Sequence, residues 1–108
     1  KNPSFCVVAH AAPHDPFQAT DALLKRVPES LRAGTSLTEE SVRAKSRDPN
    51  KKTDFQTGEF GGFTEHEREV VYSAMLIGLD DGVRKIINSF KTNGLEKNTI
   101  VLFFSDNG

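Results

Sequence analysis

The sequence predicts an α/β fold, and three observations carry that prediction. Apolar runs lie near the start (Phe5-Cys6-Val7-Val8-Ala9) and near the end (Ile100-Val101-Leu102-Phe103-Phe104), and a long stretch at helical spacing lies between them. Consecutive Ile, Val, Leu and Phe suit a strand covered on both faces, as in parallel sheets, rather than the alternation of a half-exposed one. Strand, crossover helix and strand is the order of a βαβ unit, which makes the strands parallel and brings their carboxyl ends to one edge. Open α/β sheets bind ligands along that edge.

The first strand is expected over residues 4–10. It is closed by His10-Ala11-Ala12-Pro13-His14-Asp15-Pro16, whose prolines end a strand and fix a turn. Residues 11–20 therefore read as a rigid loop carrying His14. Asp21 to Val27 reads as one or two helical turns, capped by Asp21 ahead of Leu23 and Leu24. From 28 to 63 periodicity is lost in a variable loop rich in Ser, Thr, Gly and charge, and loops of that length are functional or mobile. Its basic cluster, Arg43, Lys45, Arg47, Lys51 and Lys52, is either a solvated surface or a lid that draws in an anionic substrate. Phe55, Phe60 and Phe63, interleaved with Gly58, Gly61 and Gly62, are expected to pin the end of this loop onto the body.

Thr64-Glu65-His66-Glu67 has the spacing of a capping box and opens a helix over 64–93. Val71, Met75, Leu79, Val83, Ile86, Ile87 and Phe90 follow at helical spacing, with Arg68, Asp81, Arg84, Lys85 and Lys91 left for water. Asn93-Gly94 supplies a left-handed stop. Asp80-Asp81-Gly82 sits among apolar residues at helical spacing and lacks the later ligand positions of an EF-hand, so Asp80 is assigned a structural hydrogen bond or ion pair. The second strand, over 98–105, breaks into Asp106-Asn107-Gly108.

Composition narrows the class. The chain has 108 residues, 36% of them hydrophobic and 27% charged, as in a soluble globular protein. Fourteen basic against fifteen acidic residues give a net charge of −1, which offers no global attraction to nucleic acid or to anionic membranes. No apolar stretch approaches the ~20 residues of a membrane span, and no signal peptide is visible. Cys6, the single cysteine, lies in an apolar run and is expected to be a small buried hydrophobe. The start at Lys1 and the end on an acid-amide-glycine motif read as an internal piece of a longer protein.

Two constellations carry chemistry. Asp106 offers a carboxylate and Asn107 a carbonyl oxygen at the end of an apolar run, donors that favour a hard cation such as calcium or magnesium over zinc. The same letters also make an ordinary turn. His14, held between Pro13 and Pro16, is pre-organised for recognition or proton transfer. His10 reads as a strand-end residue and His66 as part of an exposed first helical turn, and neither joins the site.

Taken together these segments resemble the sulfatase family, within the alkaline-phosphatase-like superfamily. The resemblance runs from Ala12-Pro13-His14-Asp15-Pro16-Phe17-Gln18, through Tyr72 and the Leu79-Asp80 pair, to Gly94-Leu95, Asn98-Thr99-Ile100-Val101 and Ser105-Asp106-Asn107-Gly108. It implies that the βαβ unit belongs to an α/β/α sandwich with a mainly parallel sheet, and that residues 1–108 form part of the catalytic domain of an arylsulfatase-like or N-acetylgalactosamine-6-sulfatase-like protein. It implies further that Asp106 and Asn107 are two ligands of a calcium ion. His14 then contacts the substrate sulfate or protonates the leaving oxygen. The nucleophile is a formylglycine made from cysteine or serine. Substrates would be sulfated carbohydrates or aryl sulfates, with neither nucleic acid nor membrane as partner, and the location periplasmic, secreted or lysosomal.

The sequence departs from the family at the nucleophile. No Cys or Ser followed by x-Pro-x-Arg occurs, and the aspartate pair that completes the metal site and the lysines flanking the sulfate are missing. The calcium site is thus incomplete in this chain and the formylglycine is expected outside it, so the 108 residues alone are expected to be inactive. Two alternatives stand beside a sulfuric ester hydrolase: a phosphoryl-transfer metallohydrolase of the same superfamily, and a non-catalytic truncated product that binds anionic glycans through the basic loop.

Overall fold

A computed structural model of the chain describes residues 3–14, 16–48 and 61–105. In chain order the elements are α1 (Asp21–Leu24), α2 (Glu29–Arg32), α3 (Glu39–Ser46), α4 (Glu65–Thr92) and a 3-10 turn at Glu96–Asn98. Each of the three capped helices starts at a threonine. Thr20 Oγ1 accepts the Leu23 N–H at 3.3 Å, and Thr38 Oγ1 accepts the Ser41 N–H at 3.2 Å while Ser41 Oγ accepts the Thr38 N–H at 2.9 Å. Thr64 Oγ1 accepts the Glu67 N–H at 3.2 Å, and Glu67 Oε2 takes the Thr64 N–H at 3.0 Å, completing the second capping box. The cap of α1 is Thr20 and not Asp21, whose carboxylate accepts the Glu39 N–H at 2.8 Å and so ties α1 to the start of α3.

Helix α4 ends in a Schellman closure. Gly94, at φ 67°, donates to the Lys91 carbonyl at 3.1 Å, and Leu95 donates to the Phe90 carbonyl at 2.9 Å. Only the first half of the helix enters the core. Val70, Val71, Ala74 and Met75 are buried there with Phe17, Ala19, Leu24, Val27 and Val42, and Leu23, Leu31, Leu37, Phe63 and Ile77 pack around them. Leu79, Val83, Ile86, Ile87 and Phe90 stay half-buried.

The α/β expectation is not met. Among the described residues there is no strand and no sheet, so the βαβ unit and the mainly parallel α/β/α sandwich are absent from this structure. Residues 4–10 and 98–105, both expected as strands, carry no ladder among the described residues, and their side chains stand in solvent: Phe5 is 90% exposed and Ile100 89%. The physical reason is cooperative. An apolar run encodes a preference for burial on two faces, but a strand forms only against neighbours, and a sheet of two strands is marginal in water. Here α4 spends its buried stripe on α1 and the 17–27 segment, leaving no layer to cover either run.

Further departures follow from local chemistry. The stretch 28–63 is not featureless, since it contains α2 and α3, the latter started by a Thr-Ser box in place of the usual Thr-Glu one. Cys6 is exposed and free, because the run that was to bury it has no partner. Phe63 does reach the core edge, whereas Phe55 and Phe60 lie outside the described residues. No helix among the described residues is long and apolar enough to cross a membrane.

Candidate active site

His14 sits in a tight turn at the surface. Its N–H donates to the Ala11 carbonyl at 2.8 Å, and the Ala12–Pro13 bond within the turn is cis. Three residues further on, Phe17 is buried, with its ring 6.2 Å from that of Phe63 and 6.3 Å from that of Tyr72. The Phe17 carbonyl accepts the Ser46 hydroxyl at the end of α3. Ala12 packs against the core before the turn and Ala19 is buried after it. An exposed imidazole is thus carried on a loop pinned at both ends, the arrangement that pre-organisation of a catalytic or recognition group requires.

The segment ahead of the turn also rests on α4. A Cβ built at Gly82 would lie 3.2 Å from His10 Cε1, and one at Gly78 would lie 3.1 Å from Leu23 Cδ1. Gly78 and Gly82, one helical turn apart, let these two side chains come down onto the helix. Arg26 closes the same contact, both guanidinium nitrogens bonding the Asp81 carboxylate, one of them at 3.0 Å. The hydrogen bond to Asp81 raises the Arg26 pKa, and the bond from Arg26 lowers that of Asp81. Asp80 makes an exposed i,i+4 pair with Arg84 at 2.6 Å, the structural role assigned to it.

Asp106 and Asn107 lie outside the described residues, as does Asp15, so the structure does not bring the proposed metal donors and His14 into one frame. Among the described residues no group of three or more His, Cys, Asp or Glu could hold a metal ion. His66 bonds the Leu31 carbonyl at 2.6 Å and fastens α2 to α4, away from the His14 turn in sequence and in role. Sequence reasoning passed over Ser46, Gly78, Gly82 and Phe17 as supports of the loop. Two glycines four apart inside a strong helical pattern were the available signal, because a helix tolerates them at a cost of about 1 kcal/mol each and a close approach is the usual return.

A loop-borne histidine on a helical scaffold is compatible with polar chemistry but fixes no reaction. The class comes from comparison: the sequence profile of the sulfatases matches residues 1–108, and the chain belongs to that family, a family of hydrolases. In particular it is similar to an arylsulfatase of Klebsiella aerogenes, 26% identical over 122 aligned positions that cover 100% of this chain and 26% of that protein. The chain therefore spans about a quarter of the length of that curated relative. No solved structure gives a significant match.

Proposed function

We propose that the protein is a calcium-dependent sulfuric ester hydrolase acting on sulfated sugars or aryl sulfates. The observation that carries this reading is the sulfatase match over residues 1–108. The His14 turn supports it with a physical role. An exposed imidazole on an anchored loop hydrogen-bonds a sulfate oxygen or gives a proton to the leaving oxygen as the S–O bond breaks, stabilising the charge that develops there. Asp106 and Asn107 would supply a carboxylate and an amide oxygen to the metal, a donor pair chemically suited to a hard cation. When bound, such a dication contributes electrostatic stabilisation of the sulfate's negative charge. The nucleophile, a formylglycine, comes from outside these 108 residues, which contain no Cys/Ser-x-Pro-x-Arg sequence.

Turnover of an aryl sulfate and of the matching aryl phosphate by the full-length protein, with calcium varied, tests this reading. Sulfate ester cleavage is expected to dominate. His14→Ala should slow it by ~10²–10⁴ with the fold intact, the range for a lost proton-transfer group. Asp106→Ala should raise the calcium needed for half-maximal rate. Phosphate ester cleavage without sulfate ester cleavage, or wild-type behaviour of Asp106→Ala at limiting calcium, would overturn the assignment.

A further inference from the structure

Beyond the His14 turn, the chain runs into a recess of about 160 Å³ between the start of α1 and one face of α3. Its apolar floor is Leu23 and Val42, the latter almost fully buried, and its polar wall is Gln18, Glu39, Arg43 and Arg47. Arg43 lies on α3 and Arg47 caps its carboxyl end, and both line the recess. Arg43 bonds Glu39 through one nitrogen at 3.2 Å, which offsets the carboxylate's charge and leaves other guanidinium donors in place. Arg47 has no side-chain partner among the described residues. The lining thus carries two positive charges against one negative.

We infer that this recess is a subsite for one acidic sugar residue of the substrate, a uronate or a second sulfated unit. The apolar floor suits the C–H face of a sugar ring, Gln18 and Glu39 suit its hydroxyls, and Arg47 with Arg43 suits a carboxylate or sulfate, which guanidinium groups bind in a bidentate manner. The volume is below the roughly 300 Å³ at which pockets for whole small molecules begin, so it takes one unit of a longer ligand. Gln18 lies four residues from His14, on the same anchored loop, and links the recess to the turn that carries the candidate chemistry. The substrate half of this assignment depends on the sulfuric ester hydrolase reading; the binding half does not.

Two measurements on the full-length protein separate those halves. The first is calorimetric titration with an unsulfated uronate-containing disaccharide and with a sulfated neutral disaccharide, compared between the parent and Arg47→Gln. Binding of at least one sugar is expected, weakened about ten-fold or more in the variant, as for loss of one charged hydrogen bond, with unchanged thermal unfolding. The sugar that binds identifies the anionic group. The second is hydrolysis of p-nitrophenyl sulfate against a sulfated uronate disaccharide. Arg47→Gln should raise KM for the disaccharide and leave kcat/KM for the aryl ester unchanged. Equal effects on both substrates, or sugar binding that Arg47→Gln does not alter, would overturn the subsite. Failure to cleave either ester, with sugar binding retained, would remove the hydrolase reading and leave the recess as a glycan site.

Discussion

Gly34 and Gly61 both take positive φ, at 83° and 58°, but their surroundings differ. A Cβ at Gly34 meets nothing within 4 Å, whereas one at Gly61 would lie 2.9 Å from the Lys45 carbonyl oxygen. Gly34→Ala should cost about 1 kcal/mol, the penalty of the left-handed backbone alone, and Gly61→Ala clearly more, with thermal unfolding as the measure. Phe17→Ala should cost on the order of 3 kcal/mol, because a large ring is removed from between Phe63 and Tyr72, and should lower activity by freeing the His14 turn. If Phe17→Ala lost stability but kept full aryl sulfate turnover, the anchoring role would fail. At this scale the sequence announced residues whose neighbours along the chain explain them, such as Gly94 after Asn93 or His14 between prolines. It was silent on Ser46 and Gly82, whose partners Phe17 and His10 are distant in sequence and met only through folding.

Among the elements, α3 and α4 are joined by a small polar clamp. Lys45 Nζ bonds both Glu67 carboxylate oxygens, at 2.9 and 2.7 Å, in a half-buried setting. Partial burial pushes the Glu67 carboxyl up, but the bond from Lys45 and those from Thr64 together outweigh it and hold its pKa below the ordinary 4.5. A carboxylate with a depressed folded pKa contributes stability that is present above its unfolded pKa and is lost as pH falls through the folded value. Acidification below about 4.5 should therefore destabilise the parent more than Glu67→Gln, whose cost at neutral pH should be about 1 kcal/mol, read from denaturant unfolding at both pH values. Parallel pH curves would show that the clamp contributes nothing. The Thr64 to Glu67 box was legible because both partners lie within four residues of each other. The α3 box escaped notice because serine at its third position is a weaker signal than glutamate.

For the whole molecule, the radius of gyration is 17.2 Å, against about 13 Å for a compact domain of this length. Among the described residues, a long helix buried along only half its length and two exposed apolar runs contribute to that extension. A polypeptide of these 108 residues should bind a hydrophobic dye and associate with rising concentration, and charged substitutions at Ile100, Leu102 and Phe104 should reduce both. A monomer at all concentrations, with no dye bound, would contradict the exposure seen here. The runs were expected as strands and the helix between them as a crossover, and of these only the helix forms among the described residues, because a sheet is a property of neighbours and layers. Phe5 and Ile100 report what covers them only when something does.

The backbone contact between Lys45 and Gly62, with the Gly62 N–H on the Lys45 carbonyl at 3.1 Å, joins the two ends of the segment between α3 and α4. With residues 45 and 62 held together, the chain between them enters the stability of the fold as a closed loop, whose closure entropy grows only slowly with its length. Doubling it costs only about 0.6 kcal/mol of closure entropy.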